Sequence, residues 1–464
     1  MWSIEQTEAR SLEVRRHPSV SGRRSLAWLC GMAALLGTGA VAFAQDRVEG
    51  GQPPGTTQPA QRQESQEVRP ATTREPADAI ADQNDDQADA EGLRVFWKDT
   101  LRFESPDKNF RLKLGGRIQW DLSMYDARGG IEEIGDFDDG TEIRRARFYY
   151  SGTFHKRFEF KTQIELSQPH IEAKDVYIGL LDLPIGNLRL GHFKEPFGLN
   201  ELTSSKYLTF MERSQTTDTF ALGRNTGIML HDHALGERMT WAVGFFRATD
   251  EFFNGEISDG LHLTGRVTAL PWYEEDGRKL LHVGVAWSHR DPGGDHIDLD
   301  ARPGSHLAPK HAAIDDIEAD SVDLLGLEAA LVHGPFSLQG EYIHAFINRK
   351  IGGELQFNSF YIQASYFLTG EHRNYETDVA EFGRIRPKHN YGEDHGMGAW
   401  EIAMRYVYLD LIDDDIRGGR VSDLSVGLNW YLNPNARVAW NYVYTDTQDS
   451  GFVNIFQMRF QLAF

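Results

Sequence analysis

The feature that most constrains this chain is an alternation of apolar and polar side chains that recurs from residue 111 to residue 464. Period-two alternation places the two sets on opposite faces of an extended strand. Leu112, Leu114, Ile118, Trp120 and Leu122 stand against Lys113, Arg117, Gln119 and Asp121. Phe158, Phe160, Ile164 and Leu166 oppose Glu159, Lys161, Gln163 and Glu165. Leu424, Val426, Leu428, Trp430 and Leu432 oppose Ser425, Gly427, Asn429 and Tyr431. One face is apolar and the other carries charge, strand after strand. A soluble sandwich has no use for that pattern, whereas a barrel with lipid outside and water inside requires it.

Sixteen such stretches are separated by Gly, Asp, Asn and Pro-rich breaks. They fall near 111–122, 143–154, 158–166, 174–180, 188–193, 226–231, 240–247 and 261–268, then 280–289, 322–332, 335–345, 356–367, 399–410, 421–432, 436–446 and 454–464. An even number is what a single-chain bacterial barrel needs, and about sixteen strands enclose a water-filled lumen. The expected fold is therefore an all-β transmembrane antiparallel β-barrel of about sixteen strands within residues 93–464. With both barrel ends periplasmic, the links after odd-numbered strands are extracellular. Two of these, 194–225 and 290–321, are long, as extracellular loops are. The link 368–398 is long on the side where turns should be short.

Composition narrows the rest. No run of eighteen apolar residues occurs, which excludes a helical membrane protein. Aromatic residues make up 11%, enough for girdles at two membrane interfaces. A formal net charge of −21 argues against nucleic acid as a partner. Residues 1–44 read as a secretory signal: Arg15, Arg16, Arg23 and Arg24 precede the apolar run Leu26–Ala44, with cleavage expected between Ala44 and Gln45. The single cysteine, Cys30, lies in that segment, so the mature chain is expected to lack disulfides and thiolate sites. Residues 45–92 are rich in Gln, Pro, Thr, Ala and Asp and read as a disordered periplasmic segment. No cofactor or metal site is expected. His231-Asp232-His233 looks metal-like but reads as a solvated turn, and no Ser-His-Asp or HExxH context occurs.

The chain resembles the phosphate- and polyphosphate-selective porins of Gram-negative outer membranes. The residues that carry the resemblance are Arg144-Arg145-Ala146-Arg147, then Gly191-His192-Phe193-Lys194-Glu195-Pro196-Phe197 with Ser204-Ser205 and Glu212-Arg213. Phe367-Leu368-Thr369-Gly370-Glu371, Trp400-Glu401, Arg405-Tyr406, Leu409-Asp410-Leu411 and the run Gly427 to Asn435 follow in order. The resemblance implies a homotrimer of sixteen-stranded barrels. It further implies that the links 194–225, 290–321 and 368–398 fold into the lumen and narrow it. The ending Gln457 to Phe464 is similar to the strand read by the outer-membrane barrel assembly machinery, with Phe464 as its signal.

Such a pore selects anions by fixing cations along a narrow path, where each replaces part of the solute's hydration. Arginine suits phosphate because its planar fork stays charged and binds two oxygens at once. Strand parity turns Arg117, Arg145, Arg147, Lys161 and Arg405 inward, and sets Arg144 at the rim. Lys194, Lys206, Arg213 and Arg224 come from the first long link, and Arg384 and Arg386 from the third. Glu159, Glu165, Glu328, Glu341 and Glu401 also face inward by parity, and Glu195, Glu201 and Glu212 share the first link. The expected function is passive diffusion of small anions, phosphate or polyphosphate foremost. The alternatives are a porin for other solutes, and more remotely a barrel enzyme or a plugged structural barrel. Carboxylates in the loops around Glu132 to Asp139 and Asp291 to Asp320 are expected to bind divalent cations that bridge lipopolysaccharide.

Overall fold

The structure, a computed structural model, describes residues 92–464 apart from 222, 248, 250–259, 293–295 and 394. The signal segment, its cleavage point at Ala44 and Gln45, and nearly all of 45–92 lie outside the described residues.

The barrel strands are β1 (Phe110–Arg128), β2 (Gly140–Phe154), β3 (Phe158–Glu165), β4 (Glu172–Leu183), β5 (Gly186–Lys194), β6 (Arg224–Ala234), β7 (Met239–Arg247) and β8 (His262–Glu274). They continue as β9 (Lys279–Arg290), β10 (Ala312–His333), β11 (Phe336–Arg349), β12 (Leu355–Phe367), β13 (Ala399–Asp413), β14 (Ile416–Asn433), β15 (Ala436–Thr447) and β16 (Gly451–Ala463). Each pairs antiparallel with the next, and β16 returns to β1 with Ala463 opposite Arg117 and Phe452 opposite Arg128. A bilayer offers no partner for a free strand edge, so closure satisfies every backbone group. All sixteen expected stretches fall in these strands to within one residue at either end.

The burial pattern is inverted relative to a soluble protein. On β1, Gln119 is 0% and Asp121 3% exposed, whereas Ile118 is 46% and Trp120 37% exposed. Polar side chains fill most of the interior and apolar ones face outward, as lipid demands, while the outer ends of β10–β14 turn an apolar cluster inward. Trp400 and Trp430 stack with ring centroids 5.1 Å apart, and the Trp430 indole donates to the Met397 carbonyl (2.8 Å) at the short-turn end.

Two features exceed the sequence expectation. β10 begins at Ala312, ten residues early, because its outer part pairs with a short strand, His296–Ala301. The alternation there is broken at Asp315-Asp316, where Asp316 adopts φ +69° and the pairing slips. A hairpin, Arg94–Trp97 and Leu101–Glu104, lies against residues Arg111–Leu114 of β1. β1 overruns the end of β16, and the hairpin covers that exposed edge.

The seam between the last and first strands is tight. The Gly116 N–H donates to the Phe464 carbonyl (2.6 Å) and the Phe464 N–H to the Gly116 carbonyl (3.1 Å). A Cβ on Gly116 would sit 2.5 Å from the Arg147 carbonyl oxygen and 2.9 Å from the Phe464 ring. Gly116→Leu is therefore expected to weaken closure by about 1–3 kcal/mol, the usual range for overpacking. The check is the fraction of heat-resistant folded barrel on an unheated gel. A wild-type fraction would contradict this account of the seam.

Candidate functional site

Three segments fold into the lumen. The first, 195–223, carries the short helices α1 (Leu199–Leu202) and α2 (Gln215–Phe220) and crosses to the far wall. There the Met211 N–H donates to Asn441 Oδ1 (2.9 Å), Arg405 donates to the Glu212 carbonyl (3.0 Å), and the Thr216 and Ser359 hydroxyls meet at 2.7 Å. In the second, 291–311, Ser305 bonds the hydroxyl of Tyr125 (2.7 Å), and His306 lies 2.9 Å from Glu142. In the third, 368–398, Tyr375 pairs with His282 (2.7 Å), and Arg373 donates to Gln339 (2.8 Å). Its length on the short-turn side is thereby explained, since a turn that fills the lumen needs the residues to reach inward.

Glu212 is the chief anchor of the first segment. Arg144 grips both its oxygens at 3.1 Å, Arg145 donates at 3.2 Å, and Arg459 at 2.5 Å while also holding Asp121. Parity set Arg144 at the rim. The structure brings it inside, because β2 carries a bulge: Gln119 faces Arg145 but Trp120 faces Ile143, leaving Arg144 as the extra residue. Burial alone pushes the Glu212 carboxyl up, yet Arg144, Arg145 and Arg459 together hold it well below the usual carboxylate range. The anchor therefore persists in mild acid and is lost only as pH falls through that lowered value.

The loop fills the side of the lumen near β12–β16, and a cavity of about 240 Å³ remains along β3–β8, β1 and the third segment. Its cations are arranged unevenly against carboxylates. Asp175 is shared by Lys161 (2.5 Å) and Arg224 (2.6 Å), and Glu201 by Lys194 (3.1 Å) and Arg213 (2.9 Å). Each cluster holds two cations on one carboxylate. Arg189 and Arg266 are matched singly, by Glu159 and Glu328. Among the described residues Arg117 hydrogen-bonds only hydroxyls, Ser205 at 2.5 Å and Ser204 at 3.4 Å. Asp232, Asp378 and Glu381 are the negative groups on the same walls without one of these pairings. Glu381, in the third segment, is pushed up to about 7 by burial, against the pull of Lys194 and Arg266.

Lys206 lies over the rings of Tyr149 (5.3 Å) and Tyr207 (5.2 Å) with no carboxylate partner among the described residues. Burial, then the charges of Arg117, Arg384 and Lys161, hold its ammonium well below the usual lysine range. A depression by neighbouring cations marks a locally positive potential. Arg384 donates to the Pro434 carbonyl (2.5 Å) and Arg405 sits over the Phe210 ring (4.5 Å).

The expected residues thus divide. Arg117, Lys161, Lys194 and Arg224 line the cavity. Arg145, Arg213 and Arg405 staple the loop, the second through the carbonyls of Asn200 (3.0 Å), Glu201 (2.9 Å) and Thr203 (3.0 Å). Arg147 pairs with Glu165 at 2.5 Å. Arg386 is half exposed and grips Asp99 at 2.7 and 2.5 Å, outside the residues that line the cavity. Asp175 and the two tyrosines under Lys206 were not singled out by sequence reasoning, because pairing across strands is invisible to parity. His231 lines the cavity while the His233 ring lies 3.6 Å from Asp232. Among the described residues no group of three or more His, Cys, Asp or Glu is placed to hold a metal ion.

A closed, inside-out barrel narrowed by inward segments has the build of an outer-membrane diffusion channel. The family profile described as Phosphate-selective porin O and P matches residues 112–464, and the chain belongs to that family. It is 27% identical over 409 residues to Porin O of Pseudomonas aeruginosa, covering 77% of this chain and 88% of that one. It is 29% identical over 378 residues to an uncharacterized protein of Caulobacter vibrioides, covering 76% and 72%. Among solved structures, the anion-selective porin from Comamonas acidovorans superposes with a TM-score of 0.50 at 14% identity, over 76% of this chain and all of that one. OmpT of Vibrio cholerae lacking loop L8 gives 0.51 at 11% identity, over 77% and 100%. These two share the fold.

Proposed function

We infer that this porin passes small anions, phosphate and polyphosphate foremost, through the cavity bounded by the first and third inward segments. The observation that carries the reading is the uneven pairing at its wall: Arg117 has no carboxylate partner among the described residues, and two clusters each set two cations on one carboxylate. A phosphate oxygen can replace the Ser204 and Ser205 hydroxyls as the acceptor for Arg117, while Lys161, Lys194 and Arg224 each retain a share of unneutralised charge. Lys206 and Arg384 extend the positive potential beside them. Arg145, Arg147, Arg213 and Arg405 support the site by fixing the loop and wall rather than by meeting the solute. A porin for other solutes is the second reading, favoured by Asp232, Asp378 and Glu381 on the same walls. The relative named Porin O and the family description support the first.

The same reading carries a homotrimeric assembly, recognition of Phe464 by the assembly machinery, lipopolysaccharide contact through cation-bridged acidic loops, and a signal at 1–44 followed by a periplasmic linker.

The test is the reversal potential of the reconstituted channel across a potassium chloride gradient. Anion selectivity is expected, and it should fall as pH rises. Glu381 is neutral below about 7 and negative above it, and the lowered pKa of Lys206 makes its ammonium the easier to deprotonate as pH rises. Both changes remove positive potential. A cation-selective channel at pH 6 would discard the anion reading.

A further inference from the structure

On the loop side of the first inward segment lies a second cavity, of about 410 Å³, in the size range of small-molecule sites. One of its walls is apolar: Phe220 of α2, Leu299 of the His296–Ala301 strand, Val322 and Leu324 of β10, and Ala345 and Ile347 of β11. These belong to one packed cluster, and all are buried. Arg290, at the end of β9, lines the same cavity as a half-buried side chain, and its Nε and Nη2 are buried without a hydrogen-bond partner among the described residues.

A guanidinium with two donors unused in a buried place is uncommon, because each unmet donor costs free energy that an acceptor would recover. Glu195 acts on it through its charge, but no nearby carboxylate among the described residues hydrogen-bonds these two donors. Glu195 is taken by Asn225 (2.7 Å), His262 (3.0 Å) and Thr264 (2.5 Å). Asp300 pairs with Lys310 (2.8 Å), and Asp298 accepts the Asp316 N–H (2.9 Å). His296 pairs with Asp316 (2.6 Å), and burial pushes the Asp218 carboxyl up to about 6, towards its neutral form.

We propose that this cavity is a second solute site, taking an organic acid whose carboxylate or phosphate head meets Arg290 and whose compact apolar body lies against Phe220, Leu299, Val322, Leu324 and Ile347. The chemistry differs from the constriction, which offers charge and hydroxyls. Here one fork of donors sits beside an apolar wall, so the body of the solute contributes as well as its head. The site rests on the reading of the chain as an open channel, but not on any preference for phosphate.

The experiment reads block of chloride current in planar bilayers by benzoate and by acetate, each added to either side. Benzoate is expected to block at a concentration at least tenfold lower than acetate, from one side only. Arg290→Gln should raise the blocking concentration of benzoate about tenfold and leave the effect of phosphate unchanged. Val322→Thr, nearly isosteric, should weaken benzoate several-fold and leave acetate as it was, and it reads the site even if Arg290→Gln assembles poorly. Equal block by benzoate and acetate, or wild-type benzoate block in Arg290→Gln or Val322→Thr, overturns the proposal. A channel indifferent to phosphate would sink the preceding reading while leaving the benzoate comparison intact.

Discussion

Glu212→Gln is expected to release the inward loop while the barrel stays folded. The substitution keeps the side-chain shape and removes the one charge on which Arg144, Arg145 and Arg459 converge. Arg459 retains Asp121, but Arg144 and Arg145 are left without a carboxylate. Breaking a buried ion pair by deleting one partner costs about 3–5 kcal/mol, because the charge left behind is unpaired. The remaining anchors of the loop are single bonds: neutral ones such as the Thr216–Ser359 hydroxyl contact, worth about 0.5–1.5 kcal/mol each, and charge-assisted ones from Arg405 to the Glu212 carbonyl and from Arg437 to the Leu208 and Thr209 carbonyls, worth about 1.5–3 kcal/mol each. The loop should therefore detach before any strand does, since the strand ladder does not involve Glu212. Two readouts follow: trypsin should cut within the loop, after Lys206 and Arg213, where the wild type resists, and single-channel conductance should rise. A variant as protease-resistant as the wild type would mean that Glu212 is not the anchor.

Arg117→Ala with Lys206→Ala is expected to abolish most phosphate preference without enlarging the pore comparably. Arg117 gives up only the hydroxyls of Ser204 and Ser205, and Lys206 only ring contacts, so neither change strands a buried carboxylate. A hydrogen bond to a charged group is worth about 1.5–3 kcal/mol. Losing the Arg117 contact alone should therefore raise the half-blocking phosphate concentration roughly tenfold to a hundredfold. Lys161→Ala should do less, since Asp175 keeps Arg224 as partner. The reverse ranking, Lys161 above Arg117, would contradict the idea that unpaired cations set the preference.

Much of the fold was legible because each barrel strand records its environment in its own alternation. Gln119 inside and Trp120 outside follow from two adjacent letters. What escaped depended on breaks in that record. The Asp315-Asp316 slip hid the outer half of β10, and the bulge at Arg144 reversed its expected side. The site was legible only as a set of inward cations. Which of them face solute is decided by partners far away in sequence: Arg459 meets Glu212 across 247 residues, and Arg117 meets Ser205 across 88. No local pattern encodes those pairings. Arg145 and Arg213 therefore looked equivalent to Arg117 in the sequence, yet they hold the loop in place. The resemblance to phosphate-selective porins did supply the inward loops, on motifs such as Glu212-Arg213 and Ser204-Ser205 whose partners the structure then identified.

The most direct test of the central claim is a phosphate titration of the chloride current through the wild-type channel in a planar bilayer at fixed potential. Phosphate held at Arg117 and the cations beside it should block chloride progressively and saturably, at millimolar concentration or below. A chloride current that phosphate leaves unchanged, or reduces no more than an inert anion at equal ionic strength, would contradict the account.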